Sequence, residues 1–181
     1  MAKSLNWLCK HVSFLLLFQD STYYFIDAAP QWQPFNRDNW LYIEDNTRDL
    51  VEANDFDAVV YTGTSGLCQL LDVDGNYVDI YLYTEDGAQQ LPVPKFYWKV
   101  LVDMSKDAGV AIIGLNNPYI AEDQIDDYKI CSNPIYDHPI MEGISEPDSI
   151  SKGVIYACEV GDAAGVINEI PSELADLDLL I

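Results

Sequence analysis

The stretch AAPQWQPFNRDNWLYIEDNTR, Ala28 to Arg48, sets amides, a carboxylate and an arginine at helical spacing behind a proline turn. Glu44 and Arg48 stand i, i+4, the separation that brings opposite charges side by side on one helix face. Asn36 or Asp38 suits a helix N-cap, where a side-chain oxygen takes up a free backbone N–H. The same free N–H groups and the positive end of the helix dipole favour an anion. The stretch therefore reads either as an ordinary amphipathic helix with a cap and a surface ion pair, or as the floor of a site for an anionic group.

Other chemistries find less support. Cys9, Cys68, Cys131 and Cys158 show no CxxC spacing and only two histidines exist, His11 and His138, which argues against a zinc cluster. Cys131 and Cys158 lie beside strand-like runs in the C-terminal third and are the preferred disulfide pair in an oxidising compartment. TGTSG, Thr62 to Gly66, lacks the lysine of a phosphate-binding P-loop and reads as a turn. AEDQIDD, Ala121 to Asp127, has no glycine-centred loop and reads as a solvated segment rather than a calcium site.

Charge bears directly on partners. The chain carries 30 acidic and 9 basic residues in 181, a net charge of −21. Nucleic acid is held largely by Lys and Arg neutralising phosphates, so the total field opposes a polyanion. No basic residue occurs between Arg48 and Lys95 or after Lys152, so any basic groove must be built from Arg37, Arg48, Lys95, Lys99 and Lys129. Near the N-terminus VSFLLLF, Val12 to Phe18, follows two lysines like the apolar part of a signal peptide, but Gln19, Asp20 and Ser21 offer no small-x-small cleavage site. That run is too short to span a bilayer and reads as a buried strand or helix.

The elements that must position these residues can be read from periodicity. STYYFIDA, Ser21 to Ala28, reads as a strand into the Pro30 turn, and Trp40, Ile43, Thr47, Leu50 and Val51 then follow a helical period. AVVYTG (58–63), VDIYLY (78–83), FYWKVLV (96–102), GVAIIGL (109–115) and GVIYACEV (153–160) are strand candidates, with a turn at Asp74-Gly75. The YLY and FYW aromatics fall at strand period and read as core and sheet surface, although such rings can also stack on bases. Residues 121–151 read as a long irregular excursion, and Ser172 to Ile181 as a short helix. Several strands, an early helix and no βα alternation predict one α+β domain around a mostly antiparallel sheet.

The combination of YYFIDAAPQWQPFNRDNW with IED and Arg48, then VVYTGTSG, LPVPKFYWKVLVD and GVAIIGLNNPY, resembles the DNA/RNA non-specific endonuclease family over about Ser21 to Val160. Members are metal-dependent nucleases of the ββα-metal type, and the wording is most similar to arthropod secreted members. The resemblance implies that Asn36 coordinates one divalent ion, usually magnesium, that Glu44 holds a water of that ion, and that Arg48 completes the site. It also places Asp27 where the family has an asparagine ahead of the Pro-Gln turn, an exchange that adds charge and removes a donor. Asn36 and Glu44 are eight residues apart, about 12 Å of helix rise, so Glu44 acts through water on a hydrated ion.

The family's Asp-Arg-Gly-His motif, which supplies a histidine base, does not occur. Ser4 and Asn6 of AKSLNWL stand where its arginine and histidine belong, and an amide cannot accept a proton near neutrality. His11 is offset from that place, and His138 reads as a loop cap. The first part of the family domain is also missing, so the expected fold is incomplete at its N-terminus. Two functions follow: a DNA or RNA endonuclease-type domain, secreted by resemblance and impaired by the lost base, or a non-catalytic acidic protein that binds basic partners.

Overall fold

A computed structural model describes residues 7–8, 29–82, 84–86, 88–89 and 91–181. The runs 12–18 and 21–28 lie outside the described residues, as do Ser4, Asn6, His11 and Asp27. The α+β architecture expected from the sequence is what forms. A central sheet has the order β1–β2–β7–β8–β10, with β9 also paired to β8.

Its strands are β1 (Trp7–Leu8), β2 (Ala58–Leu67), β7 (Pro94–Asp103), β8 (Ala108–Leu115), β9 (Ile155–Cys158) and β10 (Asp178–Leu179). Every pairing is antiparallel except β10 with β8, which is parallel. The tail expected to be helical thus forms a 3-10 turn, Ser172–Leu174, and then a strand. Leu180 is buried among the core residues and holds that end in place.

VDIYLY is corrected too. It does not join the central sheet but gives β4 (Tyr77–Asp79), paired with β3 (Gln69–Leu71) in a hairpin. Its turn is the one expected, with Gly75 at φ 82° and Asp72 accepting the backbone N–H groups of Asp74 and Asn76. A second small hairpin pairs β5 (Thr84–Glu85) with β6 (Ala88–Gln89). TGTSG is not a turn, because Thr62 to Gly66 lies inside β2. Gly63 faces Trp98 across the ladder, and a Cβ there would come within 2.5 Å of the indole ring. The small residues make room for that ring.

Alternation along β7 divides the sheet's two faces. Phe96, Trp98, Val100 and Val102 pack with Ile113, Tyr156, Cys158 and the short helix α3 (Val160–Ala164). Tyr97 and Leu101 face the other way, toward Phe35, Trp40 and Ile43. Those three belong to α1 (Gln33–Arg37) and α2 (Asn39–Asn54), whose buried positions 40, 43 and 47 recur at helical spacing. β8 is buried along its whole length, as its unbroken apolar run requires. The 121–151 excursion is tied down by a Cys131–Cys158 disulfide and by the Ile135–Ala157 bridge. Among the described residues no helix is long and apolar enough to cross a membrane.

Candidate functional site

Three anchors hold the turn that leads into α1. Asn116, fully buried at the end of β8, accepts the Trp32 N–H at 2.9 Å and donates to the carbonyls of Pro30 and Pro94 at 3.0 and 2.9 Å. Tyr97 Oη donates to the Ala29 carbonyl at 2.7 Å, and burial pushes its phenol pKa well up. Phe35 is 2% exposed and lies so close to Gly153, which has φ 89°, that a Cβ there would meet its ring at 2.2 Å. With Phe35 anchored inward, Asn36 and Arg37 are left exposed.

The helix head differs from expectation. The axis breaks at Asp38, whose φ and ψ are −107° and −110°, so Asn36 sits in the short helix α1 and not at the start of α2. Neither Asn36 nor Asp38 caps α2 through its side chain: Asp38 occupies the cap position without a side-chain hydrogen bond. The head of α2 is moreover closed by protein. Asn39 Nδ2 donates to the carbonyls of Gly153 at 2.7 Å and Glu146 at 3.1 Å, while its backbone N–H reaches the Lys152 carbonyl at 3.4 Å. The expected anion position among free N–H groups is therefore taken by the 146–153 loop.

Further along α2, Glu44 and Arg48 do not form the i, i+4 side-chain pair. Arg48 Nη2 donates to Asp45 at 2.5 Å, and its Nε donates to the backbone carbonyl of Glu44 at 3.2 Å. Among the described residues the Glu44 carboxylate and the Asn36 amide have no hydrogen-bond partner. Lys99 completes this corner. Its place between Tyr97 and Leu101 on β7 puts it on the face that α2 covers, with its ammonium 5.8 Å from the Trp40 ring centroid. Burial lowers its pKa, the nearby Arg48 charge lowers it further, and Glu44 opposes both.

The single basic groove dissolves into separate places. Lys129 is paired with Asp126 at 2.8 Å and Asp148 at 3.4 Å, far along the excursion. Lys95 lies over the Tyr128 and Phe96 rings, at 4.6 and 5.1 Å. Lys99 is electrostatically coupled to both Glu44 and Arg48. Among the described residues no group of three or more His, Cys, Asp or Glu side chains could hold a metal. The donor set available is one amide and one carboxylate, both hard oxygens. Each oxygen is of the kind that a magnesium ion retaining most of its waters accepts.

His138 is a cap, as its sequence context suggests. Its Nδ1 accepts from the Ile140 N–H at 3.0 Å, and its Nε2 donates to the Leu180 carbonyl at 2.5 Å. Both ring nitrogens are used inside the protein, so it is no base for an external water. Sequence reasoning missed Asn116, although an asparagine following an all-apolar strand is a signal for a buried clamp.

The sequence profile of the DNA/RNA non-specific endonuclease family matches residues 10–162, most of the chain. The chain belongs to the DNA/RNA non-specific endonuclease family. The elbow with Asn36, the helix with Glu44 and Arg48, and the strand with Lys99 all lie inside the matched span. Two curated relatives carry the likeness further. A protein named Salivary endonuclease from Lutzomyia longipalpis is 27% identical over 142 residues, covering 78% of this chain and 33% of its own length. Salivary protein Tsal1 from Glossina morsitans morsitans is 24% identical over 160 residues, covering 88% of this chain and 38% of its own length. The chain therefore spans about a third of the curated relatives it matches. Within the matched span Glu44 and Arg48 stand in the electrostatic neighbourhood of Lys99, and Asn36 is exposed on α1 across the elbow at Asp38.

Proposed function

We propose that the chain is a magnesium-dependent phosphodiesterase domain without base preference, impaired because the family's histidine motif does not occur in its sequence. The observation that carries this reading is the Glu44 carboxylate on α2 in the field of Lys99 and Arg48, with an exposed Asn36 across the elbow, neither side chain having a hydrogen-bond partner among the described residues. The Asn36 amide oxygen would hold the ion directly and Glu44 would hold it through water. When bound, the ion supplies Lewis-acid stabilisation of charge on the phosphate and the leaving oxygen. Arg48 and Lys99 orient an incoming phosphate by charge, and contacts of that kind carry no base information.

Among the described residues no histidine is free to take the proton of the attacking water. Ser4 and Asn6 stand where the family's motif belongs, and His138 has both nitrogens engaged. Loss of general-base help removes roughly 10²–10⁴-fold in rate. Secretion is supported by the disulfide, which persists in oxidising compartments, and by the salivary names of both relatives.

One observation favours a second reading, a non-catalytic acidic protein for basic partners. Arg48, Lys106, Lys129 and Lys152 are each paired with a carboxylate inside the chain, so much of the small positive charge is already spent. Plasmid DNA and RNA incubated with the purified chain, with magnesium or with chelator, separate the two. Slow, chelator-sensitive nicking that disappears in Asn36→Ala and rises in Asn6→His supports the nuclease reading. Intact substrate at high protein concentration for all three forms supports the acidic binder.

A further inference from the structure

Where β8 ends and the chain turns through Asn117, a cavity of about 330 Å³ opens between the β3–β4 hairpin and the 3-10 segment Glu122–Tyr128. Tyr77, Tyr119 and Tyr128 line it together with the amides of Asn117 and Gln124. Tyr77 and Tyr119 are 53% and 66% exposed. They are nonetheless held in place. Gln124 Nε2 donates to Tyr77 Oη at 3.4 Å, and its Oε1 accepts the Ala121 N–H at 3.0 Å. Asn117 accepts the Tyr119 N–H at 3.0 Å and donates to the Gln69 carbonyl at 3.2 Å. Fixed rings around a mostly apolar hollow with a few amides are the make-up of a small-molecule site.

One ring contact links the cavity wall to the turn that leads into α1. Tyr119 meets Trp32 edge-on, with centroids 5.3 Å apart, and Trp32 is the residue that precedes α1 and its Asn36. We infer that the cavity is a nucleobase subsite: one base of a single-stranded segment whose phosphate lies at Asn36 and Glu44 stacks on Tyr119 and Tyr77. The inference rests on the nuclease reading of that site. Charge decides which part of the nucleotide enters. The 3-10 segment that supplies Gln124 and Tyr128 also carries exposed Glu122, Asp123 and Asp127 against the one ammonium of Lys95 over Tyr128, a local balance that disfavours a phosphate more than a neutral base. Every base offers a π-face, so stacking gives affinity without sequence preference. A chain of net charge −21 has little phosphate neutralisation to draw on and gains most from such a contact.

Fluorescence anisotropy on the full chain with magnesium tests this, with a labelled single-stranded hexanucleotide and an abasic oligomer of equal phosphate count. Oligomer integrity is checked on a gel. The base-bearing strand binds on the order of tenfold tighter. Tyr119→Ala and Tyr77→Ala abolish that preference, Tyr119→Phe retains it, and Asn36→Ala weakens both strands alike. Equal binding of the two strands, or an undiminished preference in both alanine variants, overturns the subsite and leaves the nuclease reading standing. No binding of either strand overturns both.

Discussion

The two faces of the central sheet are drawn from alternate residues of the same strands, yet they are finished differently. One face carries Trp98, Val100, Val102, Ile113 and Tyr156 beneath α3, and it is locked by the Cys131–Cys158 disulfide. The other carries Tyr97, Lys99 and Leu101 beneath α1 and α2, and admits a cation among its aromatic rings. Both faces admit a lysine among rings, Lys95 over Phe96 and Tyr128 on the first and Lys99 over Trp40 on the second. Lys99, however, stands in the field of Glu44 and Arg48, whereas Lys95 stands beside the Cys68 thiol. The proposed ion and phosphate contacts belong to the α1–α2 side, and the α3 side is packed beneath them. That division predicts different responses to substitution.

The largest response belongs to the supporting face. Trp98 is 1% exposed and fills the space left by Gly63. Trp98→Ala lowers unfolding free energy by about 3–5 kcal/mol in a urea titration. A loss below about 1 kcal/mol would show that this face tolerates a cavity and is not the support described. Next comes the disulfide. Replacing Cys131 and Cys158 together with alanine costs about 2–4 kcal/mol, and a reducing agent lowers the wild-type midpoint by a similar amount. No change on reduction would mean that the 121–151 excursion is held by packing alone.

The sharpest contrast sets two neighbours on one strand against each other. Leu101→Ala removes a wholly buried side chain and costs about 2–5 kcal/mol. Lys99→Met keeps the aliphatic stem and removes a charge whose ionisation burial already disfavours. Its stability stays within about 1 kcal/mol of wild type, while its affinity for an oligonucleotide in magnesium falls. If Lys99→Met instead unfolds the chain and leaves binding intact, the assignment of the two faces is reversed.

How much of this was legible in the sequence depends on the range of the interaction concerned. β2, β7, β8, β9 and the body of α2 were readable because their period is local and their burial follows it. VDIYLY has the same local character, but the hairpin turn at Gly75 pairs it with Gln69–Leu71 and keeps it out of the sheet. The elbow at Asp38 was not readable. It follows from Phe35 seating against Gly153 and from Asn39 reaching Glu146 and Gly153, contacts made across more than a hundred residues. Asn36, Glu44 and Arg48 were named from a resemblance, whereas the partnering of Arg48 with Asp45 depends on rotamers that no spacing rule fixes. Asp27 stays an expectation of the sequence.

The smallest effect concerns pH, and it probes the one described histidine. Burial lowers the His138 pKa below the 6.5 of free imidazole, against the opposing pull of the Leu180 carbonyl and the Asp137 charge. Above both values neither the folded nor the unfolded chain binds the proton, and the ring adds no pH dependence. As pH falls through 6.5 the unfolded chain takes up a proton that the folded ring refuses, so stability drops until the folded ring titrates as well. A protonated Nδ1 would also confront the Ile140 N–H, which it now accepts, and would open the cap that joins Pro139–Met141 to the end of the chain. Urea midpoints measured at pH 7.5 and 5.5 should therefore separate more in wild type than in His138→Asn, whose side-chain oxygen can still accept that N–H at either pH. Equal separations would assign the dependence to carboxylates, and His138 would be a packing residue on the α1–α2 side with no part in its response to acid.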